Sequence, residues 1–259
     1  MRLTLLGTGT SMGVPQIGCS CAVCRSDDPH DRRTRSGATV DTGSGRILID
    51  TPPELRLQLL AAGIDRVDAV LYTHLHADHV HGIDDLRSFS QVQRTTIPLY
   101  GPDETLRHIG SAFRYIFDSG VVPVEGTSKP RLALHPLESG ATHDIAGAAV
   151  TAMQFAHGTA SVFGYRIGRI GYVTDVKRVA AAERAILRGV EVLVLSALWW
   201  RPHPTHLSID EAIETARDIG ATRTILTHLT HETGHRELAQ RLPAGIEPGH
   251  DGMTVEVSG

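Results

Sequence analysis

The stretch THLHADH, Thr73 to His79, sets three imidazoles and a carboxylate in one short length of chain. His74 and His76 stand two apart, as do His76 and Asp78, and His79 follows directly. A strand-to-loop turn splays such neighbours toward two points, so that His74 and His76 would serve a first metal and Asp78 with His79 a second. Neutral imidazole with carboxylate suits Zn²⁺, Mn²⁺ or Fe²⁺, and the spacing does not choose among them. Two divalent metals about 3.5–4 Å apart can hold a bridging hydroxide, clamp an oxyanion and stabilise a leaving oxygen. Esters, thioesters, lactams and phosphodiesters all yield to that chemistry.

Elements must bring these groups together. Asp50 ends the apolar run ILID, His74 follows AVLYT, Asp175 follows YVT and His228 follows TILT. If these runs are strands of one orientation, their ends deliver His and Asp to a single rim. Runs rich in Val, Ile, Leu, Thr and Tyr predict strands at Leu3–Leu6, Ala38–Thr42, Ile47–Ile49, Ala69–Tyr72, Val150–Phe155, Phe163–Ile167, Gly171–Val173, Val192–Leu195 and Thr224–Leu226. Helical patterns begin near Pro53, Asp103, Val179 and Ser208. In the last, Ser208 is an expected N-cap, Glu211 completes a capping box and Gly220 is the stop. No linker or repeat interrupts the alternation, so residues 1–259 are expected to form one α/β domain, two mixed sheets face to face under helices.

The H-x-H-x-D-H run after a strand resembles the signature of the metallo-β-lactamase fold hydrolases. The resemblance covers essentially the whole chain and implies a four-layer αββα sandwich with a dinuclear site at one edge of the sheets. By that resemblance His74, His76 and His157 bind one metal, Asp78, His79 and His228 the other, and Asp175 bridges them. Asp50 matches an early aspartate that supports the ligand loop by orienting a histidine. An N-cap role before PPELRLQLL is the competing reading for it. His81 is left over as a supporting or structural residue. His206, in HPTHLSIDEA, resembles the helper histidine of the phosphodiesterase branch, which contacts phosphate or protonates a leaving alkoxide. With His206, Asp78 is assigned to the catalytic centre.

The amino-terminal segment LGTGTSMGVPQIGCSCAVC sharpens the reading. Its glycines do not follow G-x-G-x-x-G, and they are expected to let backbone pass close to the metal rim. The 3 cysteines form C-x-C-x-x-C, three thiolates that need one more ligand for a closed zinc site. His231, three residues after His228, could supply it; a redox pair of Cys21 and Cys24 competes but lacks a thioredoxin-like context. Cys19, Cys21, Cys24 and His231 beside the dinuclear motif resemble the cyclic phosphodiesterases of the carbon–phosphorus lyase pathway. That resemblance implies hydrolysis of a ribosyl 1,2-cyclic phosphate or nucleoside cyclic phosphates through a metal-bridging hydroxide, two Zn or Mn ions, one structural Zn and a homodimer.

Composition bounds the partners. With 25 basic and 29 acidic residues the formal charge is -4, so no broad cationic field draws long nucleic acid. A small phosphodiester or nucleotide is therefore the expected partner. Ribonuclease Z is the nearest nucleic-acid alternative, but no long insertion rich in Gly, Pro and Lys supplies its gripping arm. A glyoxalase II-type thioesterase is the other. No apolar run is long enough to span a bilayer and no secretory segment opens the chain, so a cytoplasmic protein is expected. Arg32, Arg33 and Arg35 are expected in a solvated loop. Trp199, Trp200 and Arg201 could stack a base or sugar and hold a phosphate, or be buried.

Overall fold

The computed structural model describes residues 1–158 and 160–258. The first half of the chain supplies β1 (Arg2–Gly7), β2 (Gly37–Asp41), β3 (Arg46–Ile49), β4 (Ala69–Leu71), β5 (Ile97–Gly101) and β6 (Leu132–Pro136). The second supplies β7 (Thr142–Ile145), β8 (Ala148–His157), β9 (Ala160–Ile167), β10 (Ile170–Val173), β11 (Val192–Ser196), β12 (Arg223–Thr227) and β13 (Ile246–Pro248), and β14 (Thr254–Glu256) returns to the first sheet. The sheets run β14-β1-β2-β3-β4-β5-β6 and β13-β12-β11-β10-β9-β8-β7, seven strands each among the described residues. Strands β3 to β6 are mutually parallel, as are β10 to β13, and the remaining pairs are antiparallel.

The central strands of each sheet are buried on both faces, which is why they read as nearly continuous apolar runs. Leu3, Val40, Ile47 and Leu71 of one sheet meet Val150, Tyr165, Tyr172 and Val194 of the other in the central layer. The opposite faces are covered by helices. Leu48, Val70 and Tyr72 lie under α1 (Leu55–Ala61), α3 (Leu86–Val92) and α4 (Asp103–Ala112); the short helices α2 (Ala77–Val80) and α5 (Arg114–Phe117) flank them. Leu193, Leu195 and Leu226 lie under α6 (Ala181–Leu187), α7 (Ile209–Ile219) and α8 (His235–Arg241). The result is the expected αββα sandwich. Helix α7 begins with the reciprocal Ser208–Glu211 capping box and ends at Gly220 with φ 76°. No helix of the described residues is long and apolar enough to cross a membrane.

Two local expectations fail. Arg33 is not solvated: its side chain is wholly buried and donates to the carbonyls of Thr230 and, at 3.1 Å, of Thr233, and to Asp31 at 3.3 Å. Of its neighbours, Arg32 is exposed, while Arg35 bonds Ser11 O and the Glu54 carboxylate. Gly7 and Gly9 crowd this same segment, not the metal rim: a Cβ on Gly7 would lie 2.0 Å from the Arg35 carbonyl oxygen, and one on Gly9 2.7 Å from that of Arg33. Only glycine lets β1 run so close to a neighbouring backbone.

Candidate metal centre

The strand directions explain the site. Asp50 leaves β3, His74 follows β4, Asp175 follows β10 and His228 leaves β12; His157 ends β8, which two antiparallel steps make co-directional with β10. All five therefore come to one rim of the sandwich. At three of these exits the chain turns through the left-handed region, with φ of 61° at Asp50, 58° at Asp175 and 58° at His228. Asp and His tolerate that region better than most residues, and strain of this kind clusters at functional sites.

The ligand loop divides as its spacing suggests. His74 Nε2 and His76 Nδ1 are 2.9 Å apart, and the His157 ring stands 5.6 Å and 5.4 Å from theirs. On the other side Asp78, His79 and His228 bring one ligand atom each within 4.8 Å of one another. Asp175 reaches across: Oδ1 is 3.0 Å from His228 Nε2, Oδ2 is 3.5 Å from His79 Nε2, and the carboxylate also groups with His74. His79 Nε2 is buried without a hydrogen-bond partner, although the Asp78 and Asp175 carboxylates lie at 3.3 Å and 3.5 Å. An unpartnered ring nitrogen between two carboxylates is what a divalent cation would satisfy, so the residues fit the expected metals.

The buried groups perturb one another strongly. Burial pushes His79 down, but the Asp50 and Asp175 carboxylates outweigh it and hold the imidazole well above its usual range. Burial pushes Asp175 up, and His228 and His79 outweigh that, leaving its carboxyl well below the usual range. Asp175 is thus held as the carboxylate, the form in which it can bind a cation.

Asp50 supports this loop and caps nothing. It is wholly buried, accepts from Thr73 N at 2.7 Å and Thr73 Oγ1 at 2.8 Å, and lies 2.7 Å from His79 Nδ1. The N-cap reading fails because α1 starts later, with Glu54 as its N-cap. His81 lies outside the centre: it is exposed, at the C-cap of α2, edge-on to Phe113 at 6.0 Å.

His206 stands beside the cluster, its Nδ1 3.8 Å from Asp175 Oδ1 and its ring stacked on His228 at 4.9 Å. Burial, then His228, push its pKa down to about 3. His206 and His228 line a pocket of about 230 Å³ with Thr10, Gln16, Trp199 and His203. His203, 5.0 Å from His206, carried no signal in sequence beyond its closeness to that residue. Neither tryptophan is fully buried. The Arg201 guanidinium lies 3.7 Å over Trp199 and is paired with Glu232, and Arg241 lies 3.9 Å over Trp200. One face of each indole is thereby closed to a base, and Arg201 is already committed to a carboxylate.

The thiols converge on His231, which also lines that pocket. His231 Nδ1 is 3.2 Å from Cys19 Sγ, 3.5 Å from Cys21 Sγ and 3.4 Å from Cys24 Sγ. The Cys24 backbone N–H, 3.4 Å away, is the main force lowering the Cys21 thiol to about 6. Three sulfurs gathered at one imidazole nitrogen make a four-donor set of the kind that suits zinc, and all three cysteines are free.

Sandwich and site together define a metallo-β-lactamase fold hydrolase, and residues 45–229 match the family described as the beta-lactamase superfamily domain, to which the chain belongs. Among solved structures it resembles a diphosphatase from the PhnP family, at 39% identity and TM-score 0.90, covering 99% of this chain and 98% of that one. Zn²⁺-bound PqqB from Methylobacterium extorquens shares the fold at 21% identity and TM-score 0.79, covering 99% of this chain and 100% of that one. An octanoyltransferase of Porphyromonas gingivalis is 41% identical over 98% of this chain but 51% of its own length. A ribonuclease Z of Mycobacterium sp. (strain KMS) is 28% identical over 99% of this chain and 96% of its own. The chain spans about half the length of the octanoyltransferase and of the Bradyrhizobium ribonuclease Z that it also matches.

Proposed function

We propose that the protein is a metal-dependent phosphodiesterase acting on small or cyclic phosphodiesters. The observation that carries this reading is His206, set against Asp175, His157 and His228 at the wall of a pocket of about 230 Å³. An alkoxide is a poor leaving group without a proton donor or a cation, whereas a thiolate departs readily. A histidine so placed has a use in phosphodiester cleavage that thioester cleavage lacks.

His74, His76 and His157 would hold one cation, Asp78, His79 and His228 a second, with Asp175 between them. Divalent cations held there would lower the pKa of water and offset charge on phosphoryl oxygens. Asp50 fixes the tautomer of His79 by receiving its Nδ1 proton, which leaves Nε2 free to bind. Thr73 Oγ1 donates to Asp50 and lies 3.0 Å from His74 Nδ1, so one hydroxyl ties both halves of the loop together. His206 would orient the leaving oxygen and, by a ring N–H, offset the charge that develops on it. The likeness to a PhnP-family diphosphatase supports chemistry at phosphorus. The ribonuclease Z relatives, aligned over 99% of the chain, favour tRNA cleavage as a second reading.

Parallel assays on protein of measured metal content decide the matter, with an aryl phosphodiester, cyclic nucleotides, an organic diphosphate, a glutathione thioester and precursor tRNA. Turnover of the small diesters is expected. Turnover of the thioester alone would overturn the proposal, and turnover of precursor tRNA alone would favour the second reading.

A further inference from the structure

We propose that the cysteine cluster positions the substrate pocket, with Gln16 and His231 as the positioning residues that carry its effect to the catalytic rim. The pocket lined by His206 and His228 is also lined by Gln16 and His231. Both residues are tied to the thiols. The Gln16 backbone N–H donates to Cys24 Sγ at 3.3 Å, and its carbonyl accepts from Cys19 N at 3.0 Å. His231 Nδ1 meets all three sulfurs at the distances given above.

The rest of this wall is anchored independently. Val14 and Arg33 exchange backbone hydrogen bonds of 2.8 Å in both directions, and the Arg33 side chain grips the carbonyls of Thr230 and Thr233 on either side of His231. Arg33 thus fixes the start of the amino-terminal loop and the backbone after β12. What it does not fix is the loop beyond Val14, where Gln16 lies. That stretch is joined to the 228–231 segment through the sulfur–imidazole contacts. A cation held by Cys19, Cys21, Cys24 and His231 would lock those contacts, since a closed tetrahedral site fixes its ligands. Opening the cluster should therefore let the Gln16 wall drift from the His231 wall while the metal ligands on the strand ends stay in place. A wall that drifts while the metal ligands stay put loosens the grip on substrate and leaves the reacting centre as it was.

The inference rests on the phosphodiesterase reading only for its kinetic substrate. The test compares full-length wild type with Cys19→Ser, Cys19→His and Gln16→Ala in four readouts. These are zinc per chain, KM and kcat with an aryl phosphodiester, affinity for inorganic phosphate, and hydrogen exchange of residues 10–16. Cys19→Ser should lose zinc from the cluster alone, raise KM about tenfold, the scale on which supporting contacts act, and change kcat by less than about twofold. It should also weaken phosphate binding and speed exchange in the loop. Cys19→His, which restores a zinc-binding donor, should recover all of these. Gln16→Ala should raise KM with every metal retained, which keeps the test open if the cysteine variant does not fold.

A folded Cys19→Ser protein that loses cluster zinc yet keeps its KM and loop protection overturns the proposal. So does an equal fall in kcat together with loss of the active-site metals, and so does an unaltered KM in Gln16→Ala. If wild type ignores the diester altogether, the phosphodiesterase reading fails, while phosphate affinity and loop exchange still decide the positioning role.

Discussion

Asp50 and His79 form a pair in which neither side chain has any exposure to solvent and the carboxylate lies 2.7 Å from Nδ1. Because Thr73 occupies the same carboxylate from two directions, the imidazole has one orientation available, with Nε2 toward Asp78 and Asp175. Replacing Asp50 by Ala should lower metal affinity or turnover about 10–100-fold. Metal content and kcat measured side by side check this, and an unchanged pair of values would remove Asp50 from the support of the centre.

Asp175 touches both halves of the ligand set. Asp175→Ala is expected to abolish binding of two metals per active site, read by elemental analysis after dialysis. Retention of both ions would show that the two halves hold their cations without a bridge.

His206→Ala should keep the metals and lose activity. The expected fall in kcat is about 10²–10³-fold, the range seen when one hydrogen-bond donor to developing charge is removed. A filled site with wild-type turnover would take His206 out of the mechanism.

Gly82 closes the ligand loop against α1. A Cβ there would meet the Pro52 carbonyl oxygen at 2.1 Å and Leu55 Cβ at 2.9 Å, and backbone cannot yield as a flexible side chain does. Gly82→Ala should destabilise the fold by about 1–3 kcal/mol in urea unfolding. Equal midpoints for variant and wild type would contradict so tight an approach.

His30, His235 and His250 pack together, with ring centroids 4.1 Å to 5.8 Å apart. Burial, then His30 and His250, push His235 down from 6.5 to about 4. The unfolded chain therefore takes up this proton before the folded one does. The contribution to stability is complete above pH 6.5 and is lost as the pH falls through about 4. His235→Asn should flatten the wild-type decline between those values in unfolding midpoints, and parallel curves would exclude His235 as its source.

The site was legible because its ligands follow strands whose composition is unambiguous. AVLYT and YVT leave little doubt where the chain enters the rim, and the ligand spacing does the rest. Asp50 showed its residue type but not its task, since a carboxylate before PPELRLQLL suits an N-cap until the helix is seen to start at Leu55. Arg33 was misread for a different reason. Nothing local distinguishes it from Arg32, and its burial depends on carbonyls nearly two hundred residues away. The strands Ile246–Pro248 and Thr254–Glu256 are too short to show a period, and Pro98 disguises β5, because proline weakens any strand pattern.

The left-handed turns at Asp50, Asp175 and His228 set durability against activity. A side chain held there costs on the order of 1 kcal/mol that glycine would not, yet glycine brings no carboxylate or imidazole. Asp175→Gly should accordingly withstand heat better than Asp175→Ala while being just as inactive, and equal melting temperatures would deny the strain. A programme of thermostabilisation that chose substitutions by backbone comfort alone would converge on these positions, and would yield a hardier protein with no catalyst left in it.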